Sequence, residues 1–461
     1  MIQRLGARFN DWFRRFMPDP FIFALLLSLL TLVLAVAHLD GPLATRVRDA
    51  VTFWRGRSWS SALDHERGFW AFLEFAMQMV LILVTGHALA SAPLVRRGIE
   101  RLARIPRTTG GAAALIAFAT MGAALLNWGF SLVFGALLAR EVGRSARARG
   151  LKIHYPLLGA AAFTGLMIWH GGLSGSGPLD AAGRGVAVRG TTLVIPISET
   201  LGAGYNLILS ALLLAVVPLL FRLLAPRTEA ECVEIAPAPE PPPPERGFRI
   251  EESPALTLVF CGLAAFGLVA GFREAGWRFV NLYSVPFAFL FAGMLLHWRP
   301  ISYVRAVDEA VRGAGGIVLQ FPFYAAIYGI MMGSGLHEVF VGGCRGASLG
   351  LESSLGIPVA RGFPILVFLA ACVLNVFIPS GGGQWKIQGP IVCAAAIDMD
   401  VPLDRVVMAV AYGDQLTNMI QPFWALALLG ITGLKAREIM GYTALVMVIA
   451  GPLFILALAV L

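Results

Sequence analysis

Apolar residues run almost unbroken at 21–37, 69–91, 203–221, 254–272, 281–298 and 439–461. Each run is near the roughly 20 residues that a helix needs to cross hydrocarbon. Backbone groups in lipid must be satisfied inside the segment, so these runs predict helices rather than open strands. Four further apolar stretches are interrupted. In the first half, 111–139 carries Asn127-Trp128-Gly129 inside it, and 155–180 dissolves into His170-Gly-Gly-Leu-Ser-Gly-Ser-Gly-Pro178. In the second half, 363–396 holds Asn375 and then Pro379-Ser-Gly-Gly-Gly-Gln-Trp385, and 404–431 is interrupted from Tyr412 to Pro422. Each half thus places a long, interrupted stretch before a helix that breaks in its middle. The pattern predicts an all-α polytopic membrane protein, an inverted repeat with two re-entrant hairpins and two broken transmembrane helices.

Residues 225–252 contain APAPEPPPPE and almost nothing to bury, so they predict a polyproline-like cytoplasmic linker between a first membrane repeat (21–224) and a second (253–461). The hairpins are assigned to 111–139 and 363–396. Residues 1–20 predict an interfacial amphipathic helix, with Leu5, Phe9, Trp12, Phe13 and Phe16 on one face among Arg4, Arg8, Arg14 and Arg15. The competing pattern, a signal peptide cut after Ala35-Val36-Ala37, fits that basic amphipathic face less well.

Charge distinguishes two threadings. With both hairpins leaving on the side they entered, Lys and Arg number 23 on the inner side and 12 on the outer. With both stretches crossing, the tally is 17 to 18 and the positive-inside tendency is lost. The hairpin threading puts the N-terminus in the cytoplasm. The five Arg of 40–68, on the outer side, run against it.

Composition agrees with a membrane domain: 57% of the 461 residues are hydrophobic, only 14% are charged, and mean hydropathy is +0.74. A soluble chain carries about a quarter charged residues. The net charge of +8 sits between spans rather than on one stripe, which argues against nucleic-acid binding. The five Cys show neither pairing nor metal-ligand spacing, and no metal or cofactor is expected beyond a coupling Na+ or H+.

Irregular backbone at membrane depth must line a protein-enclosed or watery cavity, where helix N-termini suit an anion and carbonyls suit a cation. Asn127 with Ser131, and Asn375 with Ser380, place an amide and a hydroxyl in each hairpin, to bind a carboxylate or sodium, or to tie the hairpin's own backbone. The strings around Gly172 and Gly381, Gly382 and Gly383 allow a ligand close to the backbone. Asp414, Thr417, Asn418 and Gln421 share a face if the helix persists. A carboxylate at that depth costs roughly 2.5–3.5 kcal/mol, which makes Asp414 a candidate proton or cation relay. Further candidates are Glu74, on one face with Gln78 and Thr85, then His87, His170, and Lys386, a partner for a substrate carboxylate or for Asp414. Gly172-Leu-Ser-Gly175 also matches the short GxSG string of intramembrane serine proteases, which would leave the second half without a role. No HExxH or Walker A motif is present, so no enzyme activity is expected.

Longer motifs sharpen this. FMPDPFIFALLLSLLT (16–31), FAMQMVLILVTGHALA (75–90), NWGFSLVFGALLARE (127–141), GGLSGSGPL (171–179), QFPFYAAIYGIMMGSGL (320–336), PSGGGQWKIQGP (379–390) and YGDQLTNMIQPFWAL (412–426) resemble the bacterial short-chain fatty acid transporter family nearly end to end. The resemblance implies secondary active uptake of small monocarboxylates, proton- or sodium-coupled, across the bacterial cytoplasmic (inner) membrane by a homodimer. Dicarboxylate or ion exchange on the same fold is the alternative. It implies site positions at Asn127, Gly172, Ser174, Ser176, Asn375, Ser380, Gly381, Gly382, Gly383 and Gln384, with Asp414, Gln415 and Asn418 for the coupling ion. The chain departs from the family pattern at Glu74, His170, Lys386 and Asp414, where small or apolar residues, Gly or Glu are familiar. Short acids ionise near pH 4, so the ligand is an anion at neutral pH whose tail gains about 0.8 kcal/mol per buried methylene.

Overall fold

The computed structural model describes residues 8–460 apart from 10, 13, 14, 16, 17, 184, 227–247, 249, 280–282, 313, 379 and 380. Most of the amphipathic segment 1–20, most of the linker 225–252, and Ser380 lie outside the described residues.

The first half consists of α1 (Pro20–His38), α2 (Leu43–Arg55), α3 (Leu73–Ser91), α4 (Pro93–Ala103), α5 (Thr109–Leu126), α6 (Trp128–Ala148), α7 (Tyr155–Phe163), α8 (Ser176–Gly183) and α9 (Gly204–Leu224). A short antiparallel ribbon, β1 (Val186–Val188) and β2 (Thr191–Leu193), pairs Val186 with Leu193 and Val188 with Thr191 between α8 and α9. The second half contains α10 (Pro254–Ala275), α11 (Ser284–His297), α12 (Pro300–Val311), α13 (Gly315–Gly333), α14 (Leu336–Leu355), α15 (Val359–Phe377), α16 (Gly381–Asp398), α17 (Leu403–Thr417), α18 (Pro422–Thr432) and α19 (Ala436–Val460).

Among the described residues seven segments are long and apolar enough to cross a membrane, and α3 and α4, bent by 74° between Ser91 and Pro93, are long and apolar enough only when taken together. The protein is a polytopic, all-α membrane protein. On α10, Leu263, Phe266 and Val269 are exposed, as expected of a helix whose solvent is lipid.

Both interrupted stretches fold back. Asn127 caps α6 by accepting from the Phe130 N–H at 2.9 Å. Ser131 Oγ donates to the Thr120 carbonyl at 2.7 Å, tying α6 to α5. At the far end, the Arg149 guanidinium donates to the carbonyls of Arg104 at 2.9 Å and Pro106 at 3.0 Å. The chain therefore leaves this hairpin where it entered. In the second hairpin, Gln384 Nε2 donates to the Ala371 carbonyl at 3.0 Å. Its ends both reach one turn of α14: Arg345 lies 3.8 Å from Asp398, and Ser348 Oγ lies 3.9 Å from where a Cβ on Gly362 would stand.

The other two interruptions are broken helices. α7 loosens into 3₁₀ turns at Thr164–Met167 and Trp169–Gly171 before α8 begins. α17 ends at Thr417, a 3₁₀ turn covers Asn418–Ile420, and Pro422, without an N–H, restarts the chain as α18. α17 sits tightly on α15, because a Cβ on Gly413 would stand 2.5 Å from the Phe368 carbonyl oxygen.

Candidate substrate and ion site

The breaks of the two halves meet. His170 Nε2, in the first broken helix, lies 3.0 Å from Asp414 Oδ1 in the second, and both side chains are almost wholly buried, at 1% and 2% exposure. The His170 backbone N–H donates to Gln415 Oε1 at 2.9 Å. This double link is possible because the helical ladder is already broken at His170, freeing its N–H for a side chain.

The second hairpin supplies the floor. Asn375 Nδ2 donates to the Asp414 carbonyl at 2.8 Å, to Thr417 Oγ1 at 3.0 Å and to Asn418 Oδ1 at 3.0 Å. Gln421 Nε2 returns a bond to the Asn375 carbonyl at 2.6 Å. Asn418 Nδ2 reaches Asp414 Oδ1 at 3.4 Å. One amide thus bridges the Asp414 carbonyl, which also accepts the Asn418 N–H at the end of α17, and two side-chain oxygens. Gly381 opens α16 directly beneath His170: a Cβ there would stand 2.4 Å from His170 Nε2. Only the smallest side chain permits that approach.

Around this network several buried polar atoms have no protein partner among the described residues. Asp414 Oδ2, His170 Nδ1, Asn375 Oδ1 and Gln421 Oε1 are among them. Unsatisfied groups in a low-dielectric interior are costly, and their concentration here marks a place for water, an ion or a polar ligand.

On the other side, Ser174 Oγ accepts from the Trp128 N–H at 3.1 Å, and the Leu173 N–H donates to the Leu125 carbonyl at 2.7 Å. Gly172 packs on the end of α5, where a Cβ would stand 2.4 Å from the Leu125 oxygen. Ser176 begins α8 beside Gly382, with its Cβ 3.7 Å from the place of a Cβ there. Trp128 ties these parts together, with ring centroids 5.8 Å from Trp169 and 5.2 Å from Trp424.

His170, Asp414, Gln415, Asn418, Asn375 and Gly381 therefore converge on one centre, with Gln384 buried behind it on Ala371 and Gln388. Asn127, Gly172 and Ser174 form the adjoining tip of the first hairpin. Gly382 and Gly383 belong to the first turn of α16.

The structure corrects three expectations. Lys386 is exposed on α16 and does not neutralise Asp414, whose partner is His170. Glu74 is exposed at the start of α3, bonded to Tyr283 and within 3.5 Å of Gln78, away from the buried centre. Asp414 and Gln421 do not share one helix face, because the helix stops between them. His87 is buried, but its charged neighbours are Glu309 and Arg140, in a separate cluster.

Asn206 was not picked out from sequence, yet it braces the site. Buried within α9, it donates to the Gly171 carbonyl at 2.9 Å and accepts from Tyr412 Oη at 3.1 Å. A lone amide near the start of the apolar run 203–221 was the available signal.

A family model described as short chain fatty acid transporter matches residues 1–461. The chain belongs to that family. Its relatives include an Escherichia coli (strain K12) protein named for short-chain fatty acid transport, 39% identical over 99% of both chains. A similarly named Haemophilus influenzae protein is 36% identical, also over 99% of both. Among solved structures, the Alcanivorax borkumensis YdaH transporter is similar over 96% of this chain and 97% of its own, with 16% identity and a TM-score of 0.45. Membership makes the chain a membrane transporter.

Proposed function

We propose that the protein is a secondary active transporter of short-chain monocarboxylates in the bacterial cytoplasmic membrane, with its N-terminus inside, working as a homodimer. Its coupling ion is a proton handled by the His170–Asp414 pair. The observation that carries this reading is the burial of that pair between the broken helices of the two halves. A proton on this pair changes the charge that holds the halves together, so its arrival and departure bias their relative position. The substrate anion takes the donors of the hairpin tips, Asn127, Ser174, Ser176 and the N-termini of α6 and α16 at Gly381, Gly382 and Gly383, while Asn375 braces the Asp414 end of the site. Gly172 and Gln384 shape the walls, and Gln415 and Asn418 hold the ionic pair in register.

Sodium coupling is the second reading. It is favoured by the three oxygens of Asp414, Thr417 and Asn418 that already converge within 3.0 Å of one point, now filled by Asn375 Nδ2. A small rotation of Asn375 would bring its own oxygen to a cation there.

Uptake of labelled butyrate into proteoliposomes tests both. Accumulation under an imposed pH gradient without sodium supports the proton, and accumulation only under a sodium gradient moves the role to the oxygen cluster. Absence of uptake under either gradient would remove the proposal.

A further inference from the structure

A cavity of about 780 Å³ lies beside the first hairpin tip, walled by α3, α10 and α11. Its lining is almost entirely apolar: Leu126 and Phe130 of the hairpin, Leu268 and Val269 of α10, and Ala288 and Phe289 of α11. Two lining residues bear on an anion. Asn127 stands at the inner wall, and Arg273, the one charged residue among the lining described, stands at the exposed end of α10. Arg273 has no ion-pair partner among the described residues.

Size decides what the cavity suits. A void of roughly 150 Å³ holds benzene, which has the six heavy atoms of butyrate. The space here is about five times that. On α11 the lining runs from Ser284 to Phe289, about 7.5 Å of helix rise, and Leu89 of α3 adds to the same wall. A four-carbon acid, with carbon–carbon bonds near 1.5 Å, extends to no more than about 6 Å.

We infer that this cavity binds a monocarboxylate longer than the short-chain acids, with six to ten carbons, its carboxylate on Arg273 and its tail along Phe130, Ala288 and Phe289 toward Leu89. Arg273 supplies a full charge at the mouth, the one among the described lining residues, and the apolar wall disfavours a second, so dicarboxylates are disfavoured. The tail rests against Leu126 and Phe130 and so bears directly on the hairpin that carries Asn127. The identity of the head group rests on the reading of the chain as a carboxylate carrier, whereas the preference for length rests on the cavity alone.

Equilibrium dialysis of labelled C4, C6, C8 and C10 acids against the full-length chain in nanodiscs, with empty nanodiscs subtracted, tests this. Affinity is expected to rise about fourfold per methylene up to C8, the equivalent of ~0.8 kcal/mol for each one buried. Ala288→Trp, which fills the cavity, is expected to flatten that slope while leaving butyrate binding within twofold. Val269→Trp, at the exposed edge of the same space, provides a second blocking variant if the first does not fold. Arg273→Ala is expected to weaken C6, C8 and C10 about equally, by roughly tenfold, with butyrate within twofold, and octanamide is expected to bind the parent about tenfold more weakly than octanoate. Affinity independent of chain length, a slope that survives both tryptophans, or displacement of octanoate by phospholipid alone would overturn the inference. Length-dependent binding without uptake of any acid would leave it standing and remove the transport reading instead.

Discussion

His170 Nε2 and Asp414 Oδ1 stand 3.0 Å apart although 244 positions separate them in the chain, and neither side chain meets solvent. A buried ion or near-ion pair is weak as a source of stability but costly to break on one side, because the abandoned group keeps its desolvation cost. This asymmetry makes the pair testable.

His170→Ala and Asp414→Ala are each expected to lower unfolding stability by about 3–5 kcal/mol, while His170→Gln combined with Asp414→Asn, a neutral hydrogen-bonded pair, recovers most of it. Thermal unfolding in detergent reads the stability. The double variant is expected to fold and still to lose gradient-driven uptake. Normal coupled uptake by the double variant would remove the pair from the mechanism.

Gly381 and Gly382 are neighbours with opposite expectations. A methyl at Gly381 meets His170 Nε2 at 2.4 Å and the Trp169 ring at 3.1 Å, whereas at Gly382 the nearest atom is 3.7 Å away. Gly381→Ala is expected to cost about 1–3 kcal/mol through overpacking and to displace His170, cutting uptake at least tenfold. Gly382→Ala is expected to stay within twofold of the parent. Equal uptake by the two variants would show that His170 does not need its present position.

Asn375→Ala strips a single amide from three acceptors, all buried. A loss of about 2–4 kcal/mol is expected from acceptors left dry, together with a changed response to sodium. Melting curves with and without sodium chloride, compared with choline chloride, check this. A melting temperature unchanged from the parent would mean that water replaces the amide without cost.

The fold-back of the first hairpin predicts sidedness. Arg149 reaches the carbonyls of Arg104 and Pro106, so Arg107 and Gly150 lie at the same surface. In a cysteine-free background, Arg107→Cys and Gly150→Cys are expected to react with an impermeant maleimide from the same side of the membrane. Labelling from opposite sides would show that 111–139 crosses.

Much of this architecture is written in one dimension because the bilayer imposes local rules. Runs of apolar residues must be helical, and a glycine-rich or proline-bearing interruption inside them must be enclosed by protein, so the hairpins at 111–139 and 363–396 and the breaks at His170 and Pro422 were legible before any coordinates. Charge bias then chose fold-back over crossing. The chemical partners were not legible. Nothing in the string pairs His170 with Asp414, or turns Asn375 rather than Lys386 toward that carboxylate, because pairing depends on which faces two broken helices and a hairpin present after packing. Helix phase can be read only while a helix continues, and at Thr417 it stops. The contacts of Asn206 and the cavity beside Phe130 likewise exist only where distant segments close on each other. The sequence by itself determined where the backbone must leave the helical path; the tertiary structure decided which buried groups meet there.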